Sequence, residues 1–433
     1  MRAATMLARA SDAIAVAVSE DFGHRSAEET RFETFGAVNA FRNAAANVKK
    51  WMQPTQHLAL APGAEARVEY IPLGVIGVIG PWNYPIMCVF GPLAGILAAG
   101  NRAILKPSEL TPRTSALLAR LIVETFHPSE VAIVHGEAAE GALFSGAPFD
   151  HLMFTGSTSV GRRVMRAAAD NLTPVTLELG GKSPVIVRET YDFAEAAERV
   201  MAVKLRSAGQ ICLAPDYALV PEGREREFSQ QCVAAAHRLY PEGLESVDYT
   251  SIINAGHFGR LERLVADAEA RGAEVLTVFK PGGSGGARRM MPVLIVNPPR
   301  DTLVMREEIF GPMLPILGYR SINDALETIR SGSSPLAVYY FGADDEGARE
   351  VLNGTASGGV TINDVMTHMF VEDMPYGGIG ASGMGAYRGE TGFRTFSHAR
   401  AIYRQTEAKE AVVLLHPPYG DAFRKFLSAA IAG

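Results

Sequence analysis

The first fifty residues carry apolar side chains at helical spacing. The pattern runs over positions 4–50 and is interrupted at Asp21-Phe22-Gly23-His24, so it predicts two amphipathic helices separated by a break. Residues 51–66 are polar and contain proline, which is typical of a connecting segment. The chain therefore opens with a pair of helices before any strand pattern begins.

Short β-branched apolar runs alternate with helical patterns from about residue 70 onward. Proline just after Thr111 is typical of a helix start, because the first turn does not need its missing N–H. The predicted strands are 75–79, 102–105, 131–134, 151–154 and 184–187, and the predicted helices are 86–99, 111–126, a short one after residue 134, and 158–169. This alternation predicts an α/β fold with a doubly wound parallel sheet.

A second α/β unit is indicated after residue 192, where the alternation resumes with different spacing. We expect a helix that leads into the segment around Cys212. The other predicted elements are helices near 223–240 and 256–271 and strands at 217–220, 274–279, 293–296, 336–341 and 359–362. We interpret the Gly-rich stretch 282–286 as a surface loop and 411–415 as a candidate added strand.

Composition narrows the class of protein. The chain has 433 residues, 47% of them hydrophobic and 20% charged, which is ordinary globular usage with room for more than one domain. A net charge of −6 gives no basic footprint for nucleic acid and fits a small-molecule ligand. Three widely spaced cysteines argue against a disulfide framework and against a metal site, so we expect a reducing compartment.

Neither a membrane span nor a secretory leader is expected. The longest apolar candidate, 86–99, falls short of the roughly 18 residues that a spanning helix needs, and Gly91, Pro92 and Gly95 interrupt it. The N-terminal run contains acidic residues and lacks a compact apolar centre with a cleavage site. The sequence therefore predicts a cytoplasmic protein without a membrane partner.

Cys212 is a candidate nucleophile. A turn after a helical run, with Gly209 before the cysteine and Pro215 after it, can aim backbone N–H groups at the sulfur and at an adjacent oxyanion. A buried structural thiol is the alternative, and composition alone favours it. Cys88 and Cys232 lie in apolar helical patterns and are interpreted as structural.

Glu178 and Asn83 supply two partners that carbonyl chemistry requires. Glu178 lies in an apolar run before two glycines, so burial should raise the pKa of its carboxyl into the range of a general base. Asn83 lies between two prolines past strand 75–79, where a rigid amide can donate to an oxyanion. The alternatives are the polar member of an alternating strand for Glu178 and a turn-supporting residue for Asn83.

A glycine-containing turn marks a candidate phosphate site. Phe154-Thr155-Gly156-Ser157-Thr158-Ser159-Val160-Gly161 follows a strand and opens a helix, and such turns bind phosphates through their N–H groups. The run is not the GxGxxG fingerprint, so by itself it is a weak signal. Lys106 and Glu109 end a neighbouring strand and could both reach a ribose, although solvated loop charges are the alternative.

These segments together resemble the aldehyde dehydrogenase superfamily over nearly the whole chain. The matching segments are PWNYP (81–85), KPSE (106–109), FTGSTSVG (154–161), LELGGKSP (177–184), GQICLAPDY (209–217), EEIFGP (307–312) and a Gly-rich run from Pro375 to Gly392. The segment GQICLAPDY, with Pro215 after the cysteine, resembles the corresponding segment of the class 3 branch. Residues 21–26 and 358–378 most resemble bacterial coniferyl aldehyde dehydrogenases.

The resemblance implies a role for each catalytic residue. Cys212 would attack the aldehyde carbon and form a thiohemiacetal, while the Asn83 amide and the Cys212 N–H hold the oxyanion. Hydride transfer to a nicotinamide would leave a thioester, and Glu178 would activate the water that releases the carboxylic acid. A CoA-acylating relative would lack the base, and a non-catalytic protein on this fold would lack the nucleophile or the base.

The same resemblance implies the cofactor contacts. Lys106 and Glu109 correspond to ribose contacts, and a carboxylate near the 2′ position favours NAD over NADP, although class 3 relatives accept both. The full implied set also includes contacts at the pyrophosphate and at the nicotinamide: Trp82, Gly156, Ser157, Thr158, Gly161, Leu179, Glu308 and Phe310.

The family architecture implies three units and a homodimer. The expected boundaries are a cofactor-binding domain at 1–53, 73–181 and 377–398, a catalytic domain at 182–376, a β-hairpin oligomerisation arm at 54–72 and 399–410, and a C-terminal tail at 411–433. Two departures concern the ends: the additional N-terminal helix of relatives and the hydrophobic C-terminal anchor of membrane-bound class 3 relatives are both missing. The implied substrate is coniferyl or a related aromatic aldehyde, with medium-chain aliphatic aldehydes as the alternative.

Overall fold

The computed structural model describes residues 1–59, 63–280, 288–343, 346–406 and 416–432. The helices are α1 Arg2–Phe22, α2 Ala27–Trp51, α3 Met87–Ala98, α4 Pro112–Thr125, α5 Ala138–Ser145, α6 Thr158–Ala169, α7 Phe193–Leu205, α8 Glu225–Leu239, α9 Ala255–Ala270, α10 Leu303–Arg306, α11 Ile322–Arg330, α12 Glu346–Gly354, α13 Gly389–Thr395 and α14 Asp421–Ala432.

The strands follow in the same numbering. They are β1 Thr55–His57, β2 Glu65–Pro72, β3 Val75–Ile79, β4 Arg102–Lys106, β5 Val131–Ile133, β6 His151–Thr155, β7 Val175–Glu178, β8 Pro184–Val187, β9 Tyr217–Pro221, β10 Glu274–Thr277, β11 Val293–Val296, β12 Met313–Tyr319, β13 Ala337–Phe341, β14 Gly359–Ile362, β15 Gly383–Met384 and β16 Ser397–Arg404.

A six-stranded sheet forms the first layer, in the order β15-β7-β6-β3-β4-β5. The pairs among β3 to β7 are parallel, and only β15 runs antiparallel, against β7. Parallel strands end at one edge of their sheet, where α/β proteins bind their ligands. Ile79, Lys106, Thr155 and Glu178 are the last residues of β3, β4, β6 and β7 and therefore share that edge.

A second sheet has seven strands in the order β10-β11-β12-β9-β8-β13-β14. Its pairs are parallel except that β10 runs antiparallel to β11. The strands are almost entirely apolar, as expected for a sheet covered on both faces. The segment with Cys212 connects α7 to β9 and so leads into the middle of this sheet.

The N-terminal helical pair packs against α3 and α4, two helices of the first α/β unit. Gly23 ends α1 in the left-handed conformation (φ 79°), and the Ser26 side chain accepts a hydrogen bond from the Glu29 N–H at the start of α2. The break predicted at residues 21–24 is therefore confirmed. One face of α1 is fully buried, including Leu7 and Ile14.

A small antiparallel sheet is separate from the two larger ones. Its order is β1-β2-β16, and β2 pairs with β16 over eight residues, from Ser397–Pro72 to Arg404–Glu65. None of its residues is fully buried in the single chain. Near the C-terminus, the side chains of α14 are also exposed.

The predicted α/β class and the alternation of elements are confirmed, but eight elements of the described chain were not predicted. They are β7, β12, β15, α10, α11, α12, α13 and α14. Pro315 interrupts the apolar run of β12, and proline weakens a strand assignment because it lacks a ladder donor. In the structure β12 pairs with β9 only from Ile316 onward, so the missing N–H interrupts no bond on that side.

Two predictions concern segments outside the described residues, namely the Gly-rich loop at 282–286 and the added strand at 411–415. Across the described ranges, every helix is too short or too polar to span a bilayer.

Candidate active site

One cavity of about 1390 Å³ brings the three predicted catalytic residues together. Its wall includes Asn83 from the turn after β3, Glu178 from the end of β7 and Cys212 from the segment before β9. These residues come from two different sheets, so only the packing of the two α/β units places them side by side.

The turn that presents Cys212 has an unusual backbone. Ser207 and Ala208 adopt positive φ angles of 48° and 50°, and Gly209 follows with φ 74°. A Cβ on Gly209 would overlap the carbonyl group of Gly311, so this position accepts no side chain. The backbone thus turns sharply out of α7 and delivers the thiol to the cavity.

Gln210 fixes this turn from inside. Its side-chain amide donates to the carbonyl oxygens of Ser207 (2.9 Å) and Ser251 (3.1 Å), and its Oε1 accepts from the N–H of Ile253 (3.0 Å). The residue is 1% exposed. A fully bonded buried amide of this kind holds the cysteine segment in a single conformation.

Asn83 faces the cysteine segment through its side-chain amide. Nδ2 donates to the Gln210 carbonyl oxygen at 3.0 Å. Because an amide nitrogen has two N–H groups, the second remains for a ligand beside Cys212. The backbone of Asn83 is held in turn by Arg25, which donates to its carbonyl oxygen.

Arg25 and Glu33 form a buried ion pair behind this turn. The two side chains are 0% exposed and lie 3.2 Å apart. Glu33 also accepts hydrogen bonds from the N–H groups of Ile86 (2.7 Å) and Met87 (3.0 Å). The start of α2 therefore supports the turn that carries Asn83 and the beginning of α3.

Glu178 is buried at the end of β7 with 1% exposure. Desolvation raises the pKa of its carboxyl to about 8, and the Glu308 carboxylate adds to the increase, while hydrogen bonding from Tyr376 opposes it. Its Oε1 has no hydrogen-bond partner among the described residues. The raised pKa expected from the apolar sequence around Glu178 is therefore found.

The Cys212 thiol differs from the expectation of an activated cysteine. Burial raises its pKa well above the ordinary value, and the Glu178 carboxylate raises it further, while hydrogen bonds from Tyr376 and from the Cys212 N–H act in the opposite direction. The thiol is therefore protonated at rest, and its proton must leave when the sulfur attacks.

The turn between β6 and α6 forms another part of the cavity wall. Gly156, Ser157 and Thr158 line it, and the Ser157 side chain accepts a hydrogen bond from the Val160 N–H at the helix start. A Cβ on Gly156 would lie 2.6 Å from the ring of Phe154. The buried Thr155 Oγ1, also on this wall, has no partner in the described chain.

Glu308, Phe310 and Trp82 lie on the same wall as Glu178. The Glu308 carboxylate packs directly on the backbone of Gly180, where a Cβ would overlap both of its oxygens. Burial raises the pKa of Glu308 to about 7. The rings of Trp82 and Phe310 meet edge to face at 5.5 Å. The double glycine of the sequence thus admits this carboxylate.

A buried carboxylate keeps the Glu308 segment in place. Asp216 pairs with Lys182 and accepts the Ile309 N–H at 2.9 Å, and Lys182 donates to the Glu307 carbonyl oxygen at 2.9 Å. Arg260 adds a bond to the Glu308 carbonyl oxygen at 3.1 Å.

Some predicted cofactor residues lie apart from this wall. Leu179 lines the cavity, but Lys106, Glu109 and Gly161 do not belong to its lining in the described structure. Lys106 is 3% exposed and lies 3.4 Å from the Glu109 carboxylate at the edge formed by the strand ends. Gly161 packs closely against the Leu179 side chain, because a Cβ added at Gly161 would lie 2.6 Å from the Leu179 Cδ2.

The far end of the cavity opens between aromatic side chains. Phe32, Phe35 and Phe370 line it and are each about half exposed (48%, 55% and 45%). Phe32 and Phe370 meet edge to face at 5.5 Å, and the Arg206 guanidinium lies 5.6 Å from the Phe32 ring centre. The cavity therefore has a polar inner end at Cys212 and an aromatic mouth.

Sequence reasoning assigned no role to several residues of the site. Arg25 lies within the segment 21–26 and Tyr376 within the Gly-rich run 375–392, so both were inside recognised motifs. Their contacts depend on distant parts of the chain, which no motif records. The described residues contain no cluster of His, Cys, Asp or Glu suited to a metal ion.

The fold and the cavity together define an aldehyde-oxidising dehydrogenase, and the comparisons agree. The family model described as "Aldehyde dehydrogenase family" matches residues 1–402, and the chain belongs to this family. It is 52% identical, over all of its length and 90% of the relative's, to the coniferyl aldehyde dehydrogenase of Pseudomonas sp.. It is 39% identical to aldehyde dehydrogenase family 3 member A2 of Mus musculus, over 86% of this chain and 75% of the relative.

Solved structures match the whole arrangement. The substrate-bound AldH of Staphylococcus aureus superposes with a TM-score of 0.92 at 35% identity, covering 99% of this chain and 93% of that one. The betaine aldehyde dehydrogenase of the same organism, in complex with NAD⁺, gives 0.84 at 28% identity, with 94% and 81% covered. The protein is therefore an enzyme with the aldehyde dehydrogenase fold, and class 3 enzymes are among its relatives.

Proposed function

We propose that the protein oxidises an aldehyde to its carboxylic acid through a covalent intermediate on Cys212, with NAD as the electron acceptor. The observation that carries this proposal is the convergence of a thiol, a high-pKa carboxyl and a rigid side-chain amide in one cavity. A nucleophile, a base and an oxyanion donor are what acyl transfer through a cysteine requires. Family membership independently supports aldehyde oxidation.

The residues divide the reaction between them. The Cys212 sulfur forms a bond to the aldehyde carbon, and the carbonyl oxygen becomes an oxyanion beside the free N–H of the Asn83 amide and the Cys212 N–H. After oxidation a thioester remains on Cys212. Glu178, as carboxylate, takes a proton from the attacking water, which breaks the carbon–sulfur bond and releases the acid.

The wall opposite the aromatic mouth suits a dinucleotide. Thr155, Gly156 and Ser157 present an unpartnered hydroxyl and helix-terminal N–H groups to the cavity, as a pyrophosphate requires. Thr158, Leu179 and Trp82 extend this wall, and Glu308 and Phe310 lie toward Cys212. When bound there, the cofactor supplies the hydride acceptor. The NAD⁺ in the betaine aldehyde dehydrogenase structure supports this assignment.

We assign Lys106 and Glu109 to the ribose and favour NAD over NADP. Both residues lie at the strand-end edge of the six-stranded sheet, where only β3 separates β4 from β6, the strand that leads to the Gly156 turn. The Glu109 carboxylate would repel a 2′-phosphate, because like charges a few ångströms apart oppose each other. Gly161 contributes indirectly, through close packing of α6 on Leu179.

An aromatic aldehyde of the coniferyl type fits the cavity. Phe32 and Phe370 form a mouth that can stack a planar ring, while the inner end at Cys212 is polar and takes the aldehyde group. The named activity of the Pseudomonas relative supports the same substrate. Medium-chain aliphatic aldehydes present no ring to these side chains and should be used less efficiently.

We propose three functional units, matching the three sheets. Residues 1–53, 73–181 and 377–398 would bind the cofactor, 182–376 would provide the nucleophile, and 54–72 with 399–410 would form a dimerisation arm, followed by the tail 411–433. The exposed three-stranded sheet supports the arm, since an exposed sheet edge favours pairing with another chain. A cytoplasmic location is consistent with free cysteines.

Turnover of coniferyl aldehyde with NAD, followed as NADH absorbance, tests the function. Wild type is expected to be active, to prefer coniferyl aldehyde to hexanal in kcat/KM, and to prefer NAD to NADP. Cys212→Ala should retain the fold and lose all turnover, and Cys232→Ala, which changes a buried thiol away from the cavity, should remain active. A folded wild-type protein that oxidises no aldehyde would refute the proposal.

A further inference from the structure

Tyr376 contacts the reacting sulfur and has no assigned role. It lines the active-site cavity with 6% exposure, and its hydroxyl oxygen lies 3.5 Å from the Cys212 Sγ. This distance is within hydrogen-bond range for a thiol, whose sulfur is larger than oxygen. The contact joins the segment that precedes β15, at the edge of the six-stranded sheet, to the nucleophile that precedes β9 in the seven-stranded sheet.

The surrounding structure fixes the Tyr376 ring. Its backbone pairs with Tyr387 through two hydrogen bonds of 2.8 Å and 2.9 Å, and the two rings pack edge to face at 5.6 Å. The Arg388 guanidinium lies 4.8 Å from the centre of the Tyr376 ring. A tyrosine has only two side-chain torsions, so these contacts determine where its hydroxyl lies.

The hydroxyl also faces the base. Hydrogen bonding from Tyr376 lowers the pKa of both Cys212 and Glu178, against the larger effect of burial on each. Burial holds the pKa of Tyr376 itself well above the ordinary value, so the phenol stays neutral and remains a donor. The Glu178 Oε1 has no hydrogen-bond partner in the described chain and is open to a donor.

We propose that Tyr376 passes the thiol proton of Cys212 to Glu178 and stabilises the thiolate that results. The sulfur gives its proton to the phenol oxygen while the phenol gives its own proton to the Glu178 carboxylate, so Tyr376 ends as it began. Glu178 then loses this proton to water in the cavity before it acts as the base for hydrolysis. The freed electron pair on sulfur then forms the bond to the aldehyde carbon. The C=O π electrons move to the oxygen, beside the Asn83 amide.

The same contact acts when the thioester is hydrolysed. The carbon–sulfur bond breaks and its electron pair returns to sulfur, where the Tyr376 O–H donates to the departing thiolate. A donor aimed at the atom that gains charge in the transition state accelerates the step. The inference rests on the proposed function for the substrate chemistry, but the state of the thiol can be measured without any substrate.

Tyr376→Phe tests the relay, because it removes one oxygen and retains the ring contacts with Tyr387 and Arg388. The first measurement is the rate at which iodoacetamide alkylates Cys212 between pH 6 and 10, followed by peptide mass spectrometry to separate it from Cys88. The variant should show a midpoint at higher pH and alkylate about tenfold more slowly at pH 7.5, since a lost hydrogen bond to an anion has that order of effect.

The second measurement is the single-turnover burst of NADH, which should slow at least about tenfold, with the KM for NAD unchanged. Tyr319→Phe is the matched control, because it removes another buried tyrosine hydroxyl, one that donates to the Val187 carbonyl oxygen at 3.0 Å. An alkylation profile and a burst rate equal to those of wild type in Tyr376→Phe would overturn the relay. If wild type oxidises no aldehyde but Tyr376→Phe still shifts the alkylation profile of Cys212, only the proposed substrate reaction is rejected.

Discussion

Glu178 shows how one side chain acquires its chemistry from its surroundings. Removal from water penalises the carboxylate, and the neighbouring Glu308 adds to that penalty, which raises the pKa of Glu178 to about 8. A carboxylate with an ordinary pKa would be a weak base toward water. The apolar run around Glu178 already predicted the direction of this shift.

Glu178→Gln should separate the two halves of the reaction. The variant lacks the base for water and the acceptor of the thiol proton but keeps Cys212, so we expect one burst of NADH per active site, slowed about as much as in Tyr376→Phe, followed by turnover reduced at least about 100-fold. Stopped-flow absorbance measures the burst, and mass spectrometry of the quenched protein should detect the trapped acyl group. A variant without any burst would show that Glu178 is required for hydride transfer, contrary to the proposal.

The rate of thioester hydrolysis should rise with pH through about 8. Only the carboxylate form of Glu178 accepts a proton, and because its pKa is raised, that form is scarce below neutrality and predominates above pH 8. We expect close to a tenfold gain per pH unit below pH 7 and a plateau above about pH 9. The hydrolysis step after the burst reports this directly, and a rate that is flat from pH 6 to 9 would contradict the assignment.

Gly180→Ala should weaken cofactor use without touching Cys212. Its Cβ would occupy the place of the Glu308 carboxylate and displace the segment 307–310 from the wall. We expect the KM for NAD to rise about tenfold, while alkylation of Cys212 stays at the wild-type rate. Gly259→Ala is the matched control, because nothing lies within 4 Å of its Cβ position on α9. Equal KM values in the two variants would show that this close packing is dispensable.

At the level of elements, the start of α2 positions the Asn83 turn. The Arg25–Glu33 pair is fully buried and bonds the Asn83 carbonyl and two N–H groups at the start of α3. Removal of one partner leaves an uncompensated buried charge, whereas removal of both charges does not. The pair therefore couples the N-terminal helices to the oxyanion donor.

Arg25→Met should lower the free energy of unfolding by about 3 kcal/mol and slow the NADH burst. The double variant Arg25→Met/Glu33→Gln should recover most of the stability, because glutamine still accepts the two N–H groups, but the burst should stay slow. Urea unfolding measures the stability. Arg31→Met on the exposed face of α2 is the control and should lower the free energy of unfolding by less than about 1 kcal/mol. An equal loss of stability in Arg25→Met and Arg31→Met would argue against the buried pair as the cause.

The success of element prediction depended on local signals. β3, β8 and α6 were predicted at their observed bounds, because β-branched runs and a Ser-capped helix start are local features. β12 and β7 were missed because a proline and a charged residue interrupt their apolar runs. In both strands the neighbouring strands supply the stabilising bonds, and a local pattern does not record those partners.

At the scale of the whole molecule, the three-stranded sheet is the surface through which the proposed homodimer would form. Its strands β1 and β16 each keep an edge that is unpaired within the described chain, and an exposed edge favours pairing with another chain. Light scattering after size exclusion should give twice the 46.4 kDa of one chain at micromolar concentration. A mass equal to one chain under these conditions would refute the proposed homodimer.

The sequence by itself determined the class of the protein and the residue types of its chemistry. Periodicity predicted the α/β fold, and recognised segments proposed Cys212, Glu178 and Asn83 as candidate catalytic residues, because each of these signals spans only a few neighbouring residues. The apolar setting of Glu178 also predicted its raised pKa.

Only the tertiary structure decided which groups meet at the sulfur. Tyr376 reaches Cys212 across 164 positions of the chain, and Arg25 reaches Asn83 across 58. The state of the thiol was decided in the same way: a turn of this kind suggested an activated cysteine, but burial beside Glu178 raises its pKa instead. Burial and the approach of charges depend on how two sheets pack, and packing brings together residues whose separation in sequence carries no signal.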